Sequence, residues 1–156
     1  MLNDYEANDP ENGTFYSAAR ADFNTYVQSL HDEERGIDFP SGSVPCSHRW
    51  LLDEARSVVG VVRVRHNIDT LFLSQEAGHI GYDVPPSQRR RGYGVASLQA
   101  GLTRARELGL DRVLLCADAG NPASWRTIER CGGVLERESR SEHYQCFVRR
   151  YWIETA

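Results

Sequence analysis

The sequence predicts a mixed α/β fold built around a single central sheet. Two observations support this prediction. Apolar residues recur at helical spacing over residues 14–35 and 92–108. Short runs rich in Val, Ile and Leu, at 57–65, 79–84 and 113–117, are typical of strands. Because helices and strands alternate in the second half, the helices are expected to pack against one sheet.

The first half is expected to begin with a helix that ends at a glycine, where a left-handed residue commonly stops a helix. A β-hairpin is expected next, because Val and Arg alternate in a strand at 57–65 that follows a polar turn at 53–56. The predicted elements are a helix at Thr14–Arg35 stopped by Gly36, a Gly/Pro/Ser-rich loop at 38–47, strands at 50–52 and 57–65 joined by a turn at 53–56, and an irregular or short helical segment at 68–73.

The second half carries clearer boundaries. Pro85 and Pro86 end one strand, because proline cannot continue a ladder. Asn121 followed by Pro122 is typical of a helix start. The predicted elements are a strand at 79–84, a helix at 92–108, an apolar strand at 113–117 covered on both faces, a helix from 121 to about 131, and two antiparallel strands at 134–138 and 144–153.

Length and charge narrow the class of protein. The 156 residues predict one domain over 1–156. The net charge of −4 disfavours a nucleic-acid partner, since such binding neutralises phosphates. All 18 basic residues are arginine, which excludes Schiff-base chemistry and a P-loop lysine. No apolar run approaches the ~18 residues of a membrane span, and the start is acidic, so we expect a cytoplasmic protein without membrane contact.

The cysteines do not indicate a metal. They lie at 46, 116, 131 and 146, and no two form a C-x-x-C pair. Such spacing predicts neither a zinc site nor a redox dithiol, and reduced thiols are expected. A homodimer through the C-terminal strands is a further expectation, with Tyr151, Trp152 and Ile153 as interface or core residues.

The segment from Ile80 to Ala96 carries the clearest chemistry. A strand ends at Val84, an arginine-rich turn follows, and a helix opens directly after two glycines. Glycine allows a tight turn and a close approach to a ligand. The first helical amides lack internal partners and lie at the positive end of the helix dipole. Together with the arginines at 89–91, they predict a phosphate or pyrophosphate site.

Simpler interpretations of this segment exist. A glycine turn beside a solvated arginine run is the plain alternative. A dinucleotide-binding fingerprint fails, because only Gly92 and Gly94 match its glycines. A nucleotide-phosphate binder that uses the same amides stays open, although no Mg²⁺-ligand pattern or catalytic lysine accompanies it.

The segment resembles a known family. Arg89-x-x-Gly92-x-Gly94 is similar to the acyl-CoA pyrophosphate signature of the GNAT superfamily of N-acetyltransferases. The strand at 78–87, the strand at 112–117, and the stretch from Asn121 to Gly133 are similar to the family in the same order. Val44-Pro45, Trp50-Leu-Leu-Asp53 and Arg65-His66 further resemble a bacterial subgroup of acetyltransferases without a settled substrate, so that the likeness covers about residues 12–153.

The resemblance implies a cofactor site. It implies a central mixed sheet in which the strands at 79–84 and 112–117 are parallel neighbours that splay apart, with acetyl-CoA entering between them. The amide of Val84 would bind the pantetheine arm or the thioester carbonyl, and Arg89 would orient the loop or touch phosphate. The implied cofactor-binding residues are Val84, Arg89, Arg90, Arg91, Gly92, Tyr93, Gly94, Val95, Ala96, Asn121 and Ser124. For Asn121 and Ser124, helix capping is the alternative role.

The reaction implied is direct attack of an acceptor amine on acetyl-CoA, without a metal. The amine must first lose a proton, so a base is needed. His79 and Glu76 are the candidates for this role, because they lie near the strands expected to flank the acceptor; His66 and Asp83 are weaker ones. Tyr82 falls on the opposite strand face and is expected to pack in the core.

Two departures from the family pattern bear on function. Many relatives have a tyrosine on the last helix that protonates the leaving thiolate, and Ile128 occupies that place here. The family's first strand also has no counterpart before the first predicted helix. A non-catalytic module that binds CoA or a protein therefore stays open beside the enzyme, and the acceptor is left undefined, a small molecule or a peptide.

Overall fold

The computed structural model describes residues 1–37 and 42–155. Its helices are α1 (Leu2–Asn8), α2 (Pro10–Gly13), α3 (Ser17–Ala21), α4 (Phe23–Arg35), α5 (Tyr93–Glu107) and α6 (Pro122–Arg130). Its strands are β1 (Cys46–Leu52), β2 (Val58–Arg65), β3 (Ile80–Asp83), β4 (Arg112–Asp118), β5 (Val134–Arg140) and β6 (Phe147–Glu154). Short 3₁₀ turns cover Thr14–Tyr16 and Pro86–Gln88, and a π-helical turn covers Leu73–Ala77.

The strands form two three-stranded sheets, with the orders β1-β2-β3 and β4-β6-β5. Every ladder between these strands is antiparallel. The β5–β6 pairing is the antiparallel pair that the sequence predicted. The mixed α/β class is confirmed, and the sheet is divided between 79–84 and 112–117 as expected.

The two sheets meet at one isolated bridge, between Gly78 and Leu115. There the amide of His79 donates to the carbonyl oxygen of Leu114 at 2.7 Å. The amide of Leu114 donates in turn to Nδ1 of His79 at 2.9 Å. The bridge is of the antiparallel type but lies before β3, and among the described residues no ladder pairs β3 with β4, so the parallel direction implied by the resemblance stays a prediction. The imidazole nitrogen of His79 accepts the hydrogen bond that a main-chain oxygen would accept in a regular ladder. The pairing between the two sheets therefore stops at this point.

The core lies between the sheets and helices α5 and α6. Leu98 and Ala105 of α5 pack against Val62 and Ile80 of the first sheet, and the same cluster includes β4. Burying one such aliphatic side chain stabilises the fold by about 1.5–3 kcal/mol. The apolar run in β4 is buried at Val113, Leu114 and Leu115, as its composition predicted. Tyr151 and Ile153 are core residues, while dimerisation stays a prediction.

The predicted helix over Thr14–Arg35 is wrong in one respect, because it is broken at Asp22. Asp22 has an extended backbone (φ −152°), and its carboxylate accepts from the amide of Thr25, which caps α4. The helices α1 and α2 were not predicted, since their sequence is polar. Tyr5 of α1 is buried against Tyr16, with ring centroids 5.4 Å apart. The described residues before position 38 form helices and no strand.

Other element boundaries in the structure differ from the predicted ones by a few residues. The first strand begins at Cys46 rather than Trp50, because its main chain pairs with β2 as far as Arg65. The turn at 53–56 and the helix stop at Gly36 (φ 73°) are confirmed. The predicted loop at 38–47 falls partly on residues 38–41, which lie outside the described residues. Among the residues described, helices are too short or too polar to cross a membrane.

Gly78 provides a test of the junction. A Cβ built on it lies 2.3 Å from the carbonyl oxygen of Leu114, whereas a Cβ on Gly109 meets nothing within 4 Å, and both residues have positive φ (72° and 76°). Gly109→Ala is expected to cost about 1 kcal/mol of backbone strain. Gly78→Ala is expected to cost a further 1–3 kcal/mol, roughly, because the strands must separate. Urea unfolding measures both, and equal losses would contradict the steric role of Gly78.

Candidate active site

The two faces of β3 lead to two different surroundings. Tyr82 faces the N-terminal ends of α5 and α6, where its Cε2 lies 3.8 Å from the position of a Cβ on Gly94. Gly81, the preceding residue, lines a cavity on the other side of the sheet. Alternate residues of a strand point to opposite faces of the sheet. The ends of α5 and α6 therefore lie on one face of β3, the cavity lies on the other, and the break between β3 and β4 opens to both.

The loop after β3 is held by its own arginine and by the N-terminal helices. Nε of Arg89 donates to the carbonyl oxygen of Val84 at 3.1 Å, and the same guanidinium forms an ion pair with Asp9. Asp4 accepts from the amide and hydroxyl of Ser87, at 3.0 and 2.8 Å. The hydrogen bond from Arg89 lowers the pKa of Asp9. Arg89 therefore orients the loop, one of its two expected roles.

The loop enters α5 through backbone geometry that leaves its amides exposed. Arg90 and Gly92 have left-handed φ values, 64° and 86°. In the part of the chain that the structure describes, no side chain caps α5. The amide of Ala96 is the first to donate within the helix, to Gly92 at 3.1 Å. The amides of Tyr93, Gly94 and Val95 precede this bond, at the positive end of the helix dipole.

The N-terminus of α6 lies beside this loop. Asn121 caps α6 by accepting from the amide of Ser124 at 3.1 Å. The hydroxyl of Tyr82 donates to the carbonyl oxygen of Ser124 at 3.1 Å and lies 3.3 Å from its Oγ. A Cβ on Gly94 would lie 3.7 Å from Oγ1 of Thr127. The structure thus brings the predicted residues on β3, α5 and α6 together, and Asn121 has the capping role.

This arrangement fits a diphosphate. Uncapped amides supply aligned donors, and the guanidinium groups of Arg90 and Arg91 add positive charge beside them. Arg91 is held near the helix by a 2.6 Å hydrogen bond to Gln88 and lies 5.5 Å from the ring centroid of Tyr93. No Cβ narrows the approach at Gly92, since nothing lies within 4 Å of its position. Binding at these residues stays a prediction.

The cavity on the other face has a volume of about 630 Å³. It opens between β3 and β4 and is covered by the π-helical turn and by the segment that joins β5 to β6. Its lining includes Ile80 and Gly81 of β3, Cys116, Ala117 and Asp118 of β4, Arg63 and Arg65 of β2, Phe15, Phe72, Glu76, Ala77, His143, Tyr144, Cys146 and Val148.

The predicted bases are placed differently. Glu76 lines the cavity and is half-buried. His79 is 7% exposed and lies outside the lining, with Nδ1 bound to the amide of Leu114. Burial, together with nearby Arg65, lowers the pKa of His79 to about 4. Neutral His79 thus joins the two sheets, and of the two predicted bases Glu76 is the one that lines the cavity.

The two weaker candidates for the base have other partners. Nε2 of His66 lies 2.9 Å from the hydroxyl of Ser47, away from the cavity. Asp83 is paired with Arg63 and accepts from the hydroxyl of Tyr16 at 2.8 Å. Both side chains therefore already serve as links between elements of the fold.

Ile128 is 1% exposed and belongs to the core. It therefore supplies no group to a thiolate at this place on α6. Burial raises the pKa of Tyr82, the hydroxyl that approaches α6 from β3. Sequence alternation placed Tyr82 on the core side, and the structure agrees.

One group of metal-ligand types lies elsewhere. Glu33, Cys46 and His48 have ligand atoms within 4.8 Å of one another. Nε2 of His48 lies 2.6 Å from Oε2 of Glu33, and Cys46 is buried. Since these side chains are on α4 and β1, away from the cavity lining, the group links a helix to the sheet.

Comparison with known proteins gives one family. The sequence profile of the acetyltransferase (GNAT) family matches residues 12–133. No curated protein matches the chain. This match covers more than half of the sequence, including the loop, α5 and α6.

Solved structures share the fold. A mutant form of the spermidine/spermine N-acetyltransferase SpeG from Vibrio cholerae superposes with a TM-score of 0.59 at 18% identity, covering 70% of this chain and 67% of that one. A probable acetyltransferase gives 0.56 at 25% identity, covering 70% and 62%. A putative acetyltransferase from Acinetobacter baylyi gives 0.57 at 14% identity, covering 70% and 63%.

The fold and the loop into α5 therefore define an N-acetyltransferase fold. The chain belongs to the GNAT family of acetyltransferases, which confirms the resemblance and the enzyme class predicted from the sequence. The family uses acetyl-CoA as co-substrate in general.

Several residues of the site had no clear sequence signal. Asp4 and Asp9 brace the loop from more than 70 positions away in sequence. Phe72, His143 and Tyr144 meet from two separate segments. The sequence signal for these rings is an aromatic residue within a polar stretch, which does not identify the residues that it contacts.

His79 predicts a pH dependence of stability. The unfolded pKa is about 6.5, so between that value and the folded pKa of about 4 only the unfolded state takes up the proton. The free energy of unfolding should therefore fall as pH is lowered through this window, by about 1–2 kcal/mol at pH 5. Urea unfolding at pH 7 and pH 5 measures this. In His79→Asn that part of the pH dependence should be lost, and an unchanged difference would contradict the assignment.

Proposed function

We propose that this protein transfers the acetyl group of acetyl-CoA to an amine of a small molecule or peptide, within one domain over 1–156. The observation that carries the proposal is the uncapped N-terminus of α5, which opens directly from the loop beside the break between β3 and β4. A thioester placed at this break reaches both the anion-binding loop and the cavity.

The amides from Arg90 to Ala96 would hold the diphosphate of the co-substrate. Arg90 and Gly92 have left-handed φ values of the kind found in anion-binding turns, and the helix dipole favours the anion. Arg89 maintains the loop through Val84 and Asp9. Asn121 and Ser124 would line the pantetheine path, since the first turn of α6 lies beside Gly94 and Tyr82.

The amide of Val84 would face the thioester carbonyl. Val84 directly follows β3, where the strand has left its pairing with β2. A main-chain donor fixed at this point stabilises negative charge that develops on the carbonyl oxygen, and it needs no reorganisation during the reaction. The bond from Arg89 to the Val84 carbonyl fixes the orientation of this residue.

Glu76 would accept the proton of the acceptor amine, because it is the carboxylate on the π-helical turn that covers the cavity. A carbon–nitrogen bond forms, the carbon–sulfur bond breaks, and the proton lost by the amine reaches the leaving sulfur through water. This route needs no tyrosine on α6, where Ile128 is buried. His79 is the alternative base, but its Nδ1 binds the amide of Leu114 where the two sheets meet, and its side chain does not line the cavity.

The buried Ile128 favours one second candidate, a module that binds acetyl-CoA without turnover. Both candidates predict binding in the micromolar range, which is usual for such substrates. Thiol release with a panel of amines separates them. Acceptor-dependent release supports the enzyme, and binding without release on any amine supports the module.

Gly92 tests the loop. Gly92→Val is expected to weaken acetyl-CoA binding at least tenfold, about 1.4 kcal/mol, because a side chain enters the path of the diphosphate and strains a left-handed residue. Gly109→Val is the matched control, since it strains the other end of α5 at a similar φ. Isothermal titration should give the control the affinity of the parent. Equal affinities for all three proteins would refute the loop assignment.

Glu76→Gln tests the base. The variant is expected to lower kcat by about 10²–10⁴-fold, because the amine loses its proton acceptor. The affinity for acetyl-CoA should be unchanged, since the side chain lies on the cavity side of the sheet. Glu154→Gln, at the exposed end of β6, is the matched control. A kcat within threefold of the parent would remove Glu76 from this role.

A further inference from the structure

Arg65 has an unusual position in the cavity. It is the last residue of β2, it is half-buried, and it lines the cavity beside Arg63. NH1 of Arg65 donates to the carbonyl oxygen of Gly78 at 3.0 Å. A guanidinium has five N–H donors, so this contact leaves most of the fork available towards the cavity.

Arg65 has no ion-pair partner among the described residues, although the more distant Glu33 attracts its charge. Arg63 is paired with Asp83 and donates to the hydroxyl of Tyr16. Over residues 1–37 and 42–155, no carboxylate lies within the 4.0 Å of an ion pair to Arg65. Burial and the like charge of Arg63 lower the pKa of Arg65, yet arginine stays charged in proteins. The guanidinium of Arg65, without an ion-pair partner in that part of the chain, therefore offers one positive charge to an anionic group in the cavity.

Aromatic rings stand beside this charge. The ring centroid of His143 lies 4.7 Å from that of Phe72 and 4.7 Å from that of Tyr144. Phe72 and Tyr144 keep 39% and 48% of their surface exposed. These rings line the same cavity as Arg65, so they offer a surface for a hydrocarbon or aromatic side chain. Glu76 and Asp118 contribute negative charge elsewhere in the lining.

We propose that the acceptor is a free α-amino acid with an apolar or aromatic side chain. Its carboxylate binds the fork of Arg65, its side chain packs on Phe72, His143 and Tyr144, and its amine faces Glu76. The proposal rests on the proposed function and names its substrate class. A polyamine could pair with Glu76 and Asp118, but it has no carboxylate for Arg65 and would leave that guanidinium without a counter-charge.

The chemistry balances with acetyl-CoA as the second substrate. The amine nitrogen bonds to the acetyl carbon, the carbon–sulfur bond breaks, and the amine proton passes to the sulfur. The products are an N-acetyl amino acid and CoA. The carboxylate takes no part in bond making, so Arg65 affects the binding and orientation of the acceptor.

The experiment measures thiol release from acetyl-CoA with matched acceptors. Phenylalanine, leucine and tryptophan are each compared with the amine that lacks the carboxylate, and spermidine is added. The kcat/KM of the acid is expected to exceed that of its amine by about 10–100-fold, the usual effect of a charged hydrogen bond. Equal or better rates with the plain amines or spermidine, or no release with any amino acid, overturn the proposal.

Arg65→Gln should remove this preference, mainly through KM, while the plain amines change less than threefold. Arg140→Gln, on exposed β5, is the matched control for charge. The Arg65→Gln variant also loses the hydrogen bond from Arg65 to the carbonyl oxygen of Gly78. A second measurement therefore uses the parent protein, in which this contact is intact. The amine-free acid 3-phenylpropionate should compete with the acceptor, and its neutral amide should bind at least tenfold more weakly. Equal inhibition by acid and amide contradicts the proposal.

Failure of this inference differs from failure of the proposed function. If acetyl-CoA binds and amines are acetylated without a carboxylate preference, only the substrate class is wrong. If titration shows no acetyl-CoA binding at millimolar concentration, the proposed function itself is wrong.

Discussion

The two sheets are held together at Gly78 and His79, and the site depends on how little pairing occurs there. The amides of His79 and Leu114 are both satisfied, one by a carbonyl oxygen and one by an imidazole nitrogen. Because the imidazole accepts in place of a main-chain oxygen, both of these amides have an acceptor, yet the ladder does not continue. The strands can then separate towards Val84 and Asp118, which creates an opening without exposing the core.

The opening connects two sites of different character. On the side of α5 and α6, main-chain amides and arginines form a positive surface that suits a diphosphate. On the other side, the cavity combines Arg65 and Glu76 with the neighbouring rings of Phe72, His143 and Tyr144. In the proposed function, the donor and the acceptor of the acetyl group approach the break between β3 and β4 from opposite faces of the sheet. Asp4 and Asp9 extend this arrangement to the N-terminal helices, which hold the loop.

Sequence patterns predicted most of the elements because their causes are local. Gly36, Asn121 and the pair Pro85-Pro86 set boundaries that the structure keeps within a residue or two. The helices α1 and α2 escaped prediction, since their stability comes from Tyr5 packing on Tyr16 rather than from periodicity. The break at Asp22 escaped for a related reason: its apolar spacing fits one helix, but the carboxylate caps a new one.

The sequence by itself determined the α/β class, the strand–loop–helix around Gly92, and the family, because each depends on residues close together in the chain. Tertiary structure decided which titratable groups meet. His79, Glu76 and Arg65 all lie near the predicted strands. In the structure His79 joins the two sheets, Glu76 lines the cavity, and Arg65 binds the carbonyl oxygen of Gly78 without an ion-pair partner among the described residues. Such differences arise from contacts between segments far apart in sequence, and burial and pairing at those contacts set the charge of each group.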